Sequence, residues 1–128
     1  MILVNNALRR AAVETLHPFN GSCDQISVDV HSAAGLNLEP VSFGTVSALE
    51  SFDVPTDLAC LLTGRSSHMR RGIYMPGGWI DPGKTGSVEL EFFNMSDENY
   101  YVERGEAAAR LVFFELTEEV EPYDGTWQ

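Results

Sequence analysis

What most constrains this chain is how often its sequence turns. Turn-forming clusters recur at Ala34-Gly35, Val54-Pro55-Thr56-Asp57, Pro76-Gly77-Gly78, Asp81-Pro82-Gly83, Ser96-Asp97-Glu98-Asn99 and Arg104-Gly105. Glycine and proline punctuate a chain because one frees φ and the other fixes it. Between these clusters the runs are short and rich in β-formers: residues 26–30, 41–46, 58–62, 72–75, 88–94, 100–103 and 109–116. In the first of them Ile26, Val28 and Val30 alternate with Ser27 and Asp29, the period of a strand with one buried face. Short strands at this spacing predict an all-β sandwich or barrel.

One helix is expected, over residues 5–16. Leu8, Ala12 and Leu16 share a face there, with Arg9, Arg10 and Glu14 largely off it. His17-Pro18 ends it, because the residue before a proline avoids the helical region. The 128 residues therefore read as one mainly β domain: a helix and turn over 1–20, a β core over 21–117 and an acidic, extended arm over 118–128.

Apolar residues at 44% and charged residues at 21% suit a globular chain. The net charge of −11 excludes a general nucleic-acid binder, which needs a basic surface. It does not exclude a nucleotide site, where a few focused arginines outweigh a distant negative surface. Cys23 and Cys60 form no Cys-x-x-Cys pair and read as reduced, buried small residues. The first ten residues lack the apolar core of a signal peptide, and no run reaches the roughly 20 apolar residues that span a bilayer. A soluble, cytoplasmic protein is expected.

The His-x-Glu and Pro-Cys-x-x-Cys pair of zinc nucleobase deaminases does not occur, nor does HExxH or GxSxG, and no Walker phosphate loop is expected. His17, His31 and His68 stand isolated and are not expected to ligate metal. The segment from Gly64 to Gly72 combines the planar donor fork of Arg65 with the hydroxyls of Ser66 and Ser67, a set suited to a polyphosphate. A surface turn with solvated arginines fits the same residues. From Gly77 to Gly86 runs a turn-rich hairpin, in which Asp81 is suited to accept a sugar hydroxyl or to bond its own turn. Glu89 and Glu91 share one strand face, opposite Val88, Leu90 and Phe92. Glu91 is thus either a solvated glutamate or a carboxylate that transfers protons.

The block VPTDLACLLTGRSSHMRRGIYMPGGWIDPGKTGSVELEFFN, residues 54–94, resembles the core of dCTP deaminases and the related trimeric dUTPases. It has the Pro-x-Asp-Leu strand, GRSSxxRxG, the Ile-Asp-Pro-Gly turn and a strand ending in Asn. Upstream, QISVDV at 25–30 resembles the family's Ser-Val-Asp-Leu, and GEAAARLVF at 105–113 resembles its Gly-x-x-Ile-(Gly/Ala)-Gln-Leu-x-Phe motif. The resemblance implies a dUTPase-like distorted β-barrel or jelly roll, assembled as a homotrimer with nucleotide sites between subunits. It implies that Arg65, Ser66 and Ser67 contact the triphosphate or the reacting centre, with Ser66 counted among the catalytic residues. Arg70 would support the catalytic carboxylate, Glu91 would relay protons, and Asp81 would bind deoxyribose. Asp29 and Gly77 would complete the substrate site. Mg²⁺ would ride on the triphosphate and no zinc would be needed. The implied reaction is hydrolysis of dCTP to dUTP and ammonia, followed in bifunctional members by diphosphate release.

The chain departs from the family at several places. Lys84 stands where an aromatic residue is usual, Arg110 replaces a frequent Gln, and Tyr74-Met75-Pro76-Gly77-Gly78 replaces His-x-Thr-Ala. The Gly- and Ser-rich tail that closes over the phosphates is not in the sequence, so that lid is expected to be missing or replaced. The alternative expectation is an inactive trimer of the same fold: a virus capsid decoration or cement protein in the virion, or a nucleotide-binding regulator.

Overall fold

The computed structural model describes residues 1–125. Helix α1 (Asn5–Thr15) forms where the helical spacing predicts it, with Leu8, Ala12 and Leu16 at 0–1% exposure. Leu16 is already extended and opens β1 (Leu16–His17), which pairs antiparallel with β5 (Ser51–Asp53). The other strands are β2 (Val28–His31), β3 (Leu36–Leu38), β4 (Ser42–Ser47), β6 (Leu58–Thr63), β7 (Ile73–Tyr74), β8 (Gly78–Ile80), β9 (Thr85–Gly86), β10 (Glu89–Asn94), β11 (Tyr100–Val102) and β12 (Ala107–Glu115). A one-turn helix, α2 (Ser66–Met69), joins β6 to β7.

Among the described residues the strands form sheets in the orders β1-β5-β9, β4-β10-β7, β11-β3 and β2-β12-β6-β8, all antiparallel. The architecture is mainly β and jelly-roll-like, and it does not close into a barrel. The sheets share a core instead of a continuous ladder. Alternation explains the core directly. Leu58, Cys60 and Leu62 of β6 point inward, as do Leu90, Phe92 and Asn94 of β10. Phe52, Phe92 and Phe113, at 0–1% exposure, sit at the centre, each contributing about 1.5–3 kcal/mol by burial. Asn94 spends its buried amide on the carbonyls of Leu38 (2.9 Å) and Glu98 (2.7 Å), tying the end of β10 to its neighbours.

The boundaries differ from the sequence expectation for local reasons. β2 starts at Val28 because the Asp24 carboxylate accepts the backbone N–H groups of Ile26 (3.2 Å) and Ser27 (2.9 Å), making a turn there. Val41 has φ 53° and is 83% exposed, so it belongs to the turn before β4. Cys60 is buried as expected, but Cys23 is only half-buried; both are free thiols. Within the expected arm, residues 118–125 lie back on the body: Val120 N–H donates to the Thr56 carbonyl (3.1 Å) and Tyr123 N–H to that of Pro82 (2.9 Å). The Thr56 hydroxyl also donates to the Glu119 carboxylate. The end of that arm, 126–128, lies outside the described residues. No described helix is long and apolar enough to cross a membrane.

Candidate functional site

A cleft of about 430 Å³ opens between β8, the turn after it and β10. Its walls include Leu62, Met75 and Val88, and its polar groups include Lys84, Glu89 and Glu91. Strand alternation fixes the glutamates: Leu90 and Phe92 are fully buried, so Glu89 and Glu91 must face out. The pairing of β10 with β4 sets Glu91 opposite Thr45 and Glu89 opposite Ser47, whose hydroxyl donates to Glu89 Oε1 (3.0 Å). Gly77 shapes the other wall. It has φ +69°, and a Cβ there would lie 2.0 Å from the Leu62 carbonyl oxygen, so only glycine fits. Asp81 is exposed on the turn between the lining residues Ile80 and Lys84. Its carbonyl accepts the Lys84 N–H (3.1 Å), and Val54 brackets the turn through Gly83 N–H (2.8 Å) and the Lys84 carbonyl (2.9 Å).

The arginine-serine segment forms a second group. Arg65 Nη1 donates to the Ala107 carbonyl (3.2 Å), and its Nε lies 3.8 Å from Asp29 Oδ1. Ser66, Ser67 and Arg70 are exposed together on and beside α2. The structure thus joins Gly77 with Glu91, Arg65 with Asp29, and Ser66 with Ser67 and Arg70. Among the described residues Arg70 makes no hydrogen bond or ion pair with Glu91 in the single chain. Beside Asp29 stands a further network: Arg110 Nε donates to Ser27 Oγ (2.9 Å), and Ser27 Oγ donates to Asp24 (2.9 Å). Partial burial pushes the Asp24 carboxyl up. The hydrogen bonds from Ser27 and the Ile26 backbone, with the Arg110 charge, outweigh that and hold it below its ordinary value.

One feature was not read from the sequence and one was misread. Trp79, 55% exposed, lines the cleft and leans on Phe114 with ring centroids 5.2 Å apart. Its signal was a lone aromatic residue among glycines. Against the expectation of no Walker loop, Gly78 to Thr85 has the Gly-x4-Gly-Lys-Thr spacing of one. That spacing lacks its context, since β9 follows and pairs with β5 where a phosphate loop needs a helix. Among the described residues no group of three or more His, Cys, Asp or Glu is arranged to hold a metal ion.

Comparison with known proteins bears on the family and the fold. Residues 6–116 match the family model described as dCTP deaminase-like. The dCTP deaminase of Thermococcus kodakarensis is 31% identical over 102 residues, covering 79% of this chain and 66% of that protein. The dUMP-forming dCTP deaminase of Methanoregula boonei is 29% identical over 113 residues, covering 87% of this chain and 62% of that protein. The chain therefore spans less than two thirds of the length of these curated relatives. Among solved structures, a mutant dUTPase from phage phi11 of S. aureus, described with a structural Mg(II) ion, superposes with TM-score 0.67 at 20% identity, over 86% of this chain and 90% of that one. That likeness is one of fold. Taken with the match across residues 6–116, it means that the chain belongs to the dCTP deaminase-like family.

Proposed function

We propose that this chain is a zinc-independent nucleotide hydrolase that deaminates dCTP to dUTP and ammonia, in sites completed by a homotrimer. The observation that carries the reading is an outward carboxylate, Glu91, on the wall of a roughly 430 Å³ cleft that also holds Gly77, Trp79 and Lys84. A carboxylate so placed can take a proton from water as its oxygen attacks the amino-bearing carbon of the base. It can then return a proton to the leaving nitrogen, so that water and dCTP become dUTP and ammonia. Trp79 offers an aromatic face to a base, and Asp81 an acceptor to a sugar hydroxyl. Arg65, Ser66 and Ser67 are the donors for phosphate, with Asp29 holding the Arg65 guanidinium from behind. Arg70, exposed and with no ion pair among the described residues, is placed to reach a carboxylate across a subunit boundary. Mg²⁺ would arrive on the triphosphate and be held by phosphate oxygens and water. The dUMP-forming relative makes diphosphate release a second step to look for.

A second reading, a trimer that binds nucleotide for a structural or regulatory purpose, is favoured by Lys84. Its ammonium lines the same cleft as Glu91 and is suited to hold an anionic ligand without turning it over. The deciding experiment incubates the purified protein with Mg²⁺ and dCTP or dUTP and measures ammonia, dUTP and diphosphate. Ammonia release that Glu91→Gln lowers by about 10²–10⁴-fold supports the deaminase. Binding without turnover supports the second reading.

A further inference from the structure

A single short segment is fastened at every third residue to the stretch from β11 to the start of β12. Arg65 Nη1 donates to the Ala107 carbonyl (3.2 Å). His68 Nε2 meets Glu106 Oε2 at 2.7 Å, and its ring stands edge-on to Tyr100 with centroids 5.6 Å apart. The Arg71 guanidinium lies over the Tyr100 ring, 4.9 Å from its centroid. Residues three apart share a side of a helical turn, so these groups face that stretch. Ser66, Ser67 and Arg70 are left exposed on the other side.

A helix of four residues has no stability of its own in water. Its placement is therefore set by what it touches, and its buried residue is His68, 5% exposed. The acceptor is fixed beforehand: Glu106 Oε1 takes the Glu103 N–H (3.0 Å) and Oε2 takes the Tyr100 hydroxyl (3.3 Å). His68 is not mere filling. Its Nδ1 is buried without a hydrogen-bond partner, a cost that leucine at this position would avoid. What leucine could not supply is the bond to Glu106.

We propose that Arg65, His68 and Arg71 clamp α2 to the β11–β12 segment, and that His68 is the positioning residue that aims Ser66 and Ser67 at a nucleoside triphosphate and Arg70 at the carboxylate of the same site. The ligand in this statement rests on the nucleotide reading above; the clamp rests on geometry alone. The test compares His68→Leu, which fills the space, with His68→Gln, which keeps a donor. It follows amide hydrogen exchange at residues 66–72 together with steady-state kinetics on dCTP and dUTP. His68→Leu is expected to speed exchange at 66–72 while β12 stays protected. It should lower kcat/KM by roughly 100-fold, mostly through KM, the scale of loss for groups misplaced by about 1 Å. His68→Gln should recover most of both. Wild-type exchange at 66–72 in His68→Leu overturns the clamp. Faster exchange with unchanged kcat/KM overturns the positioning role. If the wild-type protein turns over neither nucleotide, the nucleotide reading fails separately, and the exchange comparison with its glutamine rescue still decides the clamp.

Discussion

Phe93 lies against Phe43 across the β10–β4 ladder, with ring centroids 5.1 Å apart and planes tilted by 51°, on a face open to solvent. Tyr74 is registered with Phe93 on the other side, so the three rings cross the whole β4-β10-β7 sheet. Each is about half-exposed, at 52% for Phe43, 45% for Phe93 and 43% for Tyr74. A single exposed aromatic is ordinary, whereas a continuous stripe marks a surface made to be covered. Glu91 is the next outward residue along β10. Covering the stripe with another copy would therefore also enclose the cleft wall. Phe93→Arg should weaken self-association by about 2 kcal/mol or more, roughly 30-fold, as expected for a central aromatic anchor. Because the side chain is exposed, the fold should persist by circular dichroism. Sedimentation velocity reads the result; a wild-type protein that sediments as a monomer would remove the stripe as a self-association face.

Gly77 should be the least replaceable residue of the cleft. Its φ of +69° already disfavours a side chain, and a Cβ would meet the Leu62 carbonyl oxygen at 2.0 Å. Gly21, with φ +86° and nothing within 4 Å, has the first problem without the second. Gly21→Ala should cost about 1–3 kcal/mol from backbone strain alone, and Gly77→Ala visibly more. Urea unfolding of the two variants makes the comparison. Equal costs would mean that the β6–β8 contact yields easily.

The legible parts of this protein were those with a repeating pattern. α1 announced itself through Leu8, Ala12 and Leu16, and β10 through Leu90 and Phe92 set against Glu89 and Glu91. Strands of two or three residues, such as β5, β8 and β9, are too short to show a period and are defined only by their partners. α2 was hidden for the same reason, since its stability lies in Glu106 and Tyr100, far along the chain. At the site, the motifs gave the residues but not their grouping. Nothing local in sequence says that Gly77 and Glu91 line one cleft while Arg65 turns to Asp29 and Ala107.

The cysteines should differ sharply in reactivity. Burial pushes the Cys60 thiol up to about 12, and the residue is fully enclosed. At pH 8 such a thiol is ionised in only about one molecule in ten thousand, and the thiolate is the reactive form. Cys23 is half-buried and free. A thiol reagent should therefore modify Cys23 in the folded protein and reach Cys60 only at the rate of unfolding. In Cys23→Ser the native protein should be nearly inert until denaturant is added. Rapid labelling of that variant would show that the core around Cys60 opens locally.

Glu106 should make the clamp sensitive to acid. Burial by itself raises its carboxyl. The Glu103 backbone N–H, the hydrogen bond and charge of His68, and the Tyr100 hydroxyl outweigh burial and hold it below its ordinary 4.5. The charged and titratable groups around it are His68 from α2, Tyr100 from β11 and, beyond the ring, Arg71. A carboxylate whose pKa is depressed by folding contributes stability that is complete above its unfolded pKa. That contribution is lost as pH falls through the lower, folded value. Wild-type stability should therefore decline as pH drops below about 4.5, and Glu106→Gln should be less stable at neutral pH but lose less on acidification. Asp24, also held low by its hydrogen bonds and Arg110, adds to the same decline in both proteins. Urea midpoints measured across this range for wild type and Glu106→Gln give the difference. Two curves that run parallel throughout would show that the Glu106 carboxylate is not a source of the acid sensitivity.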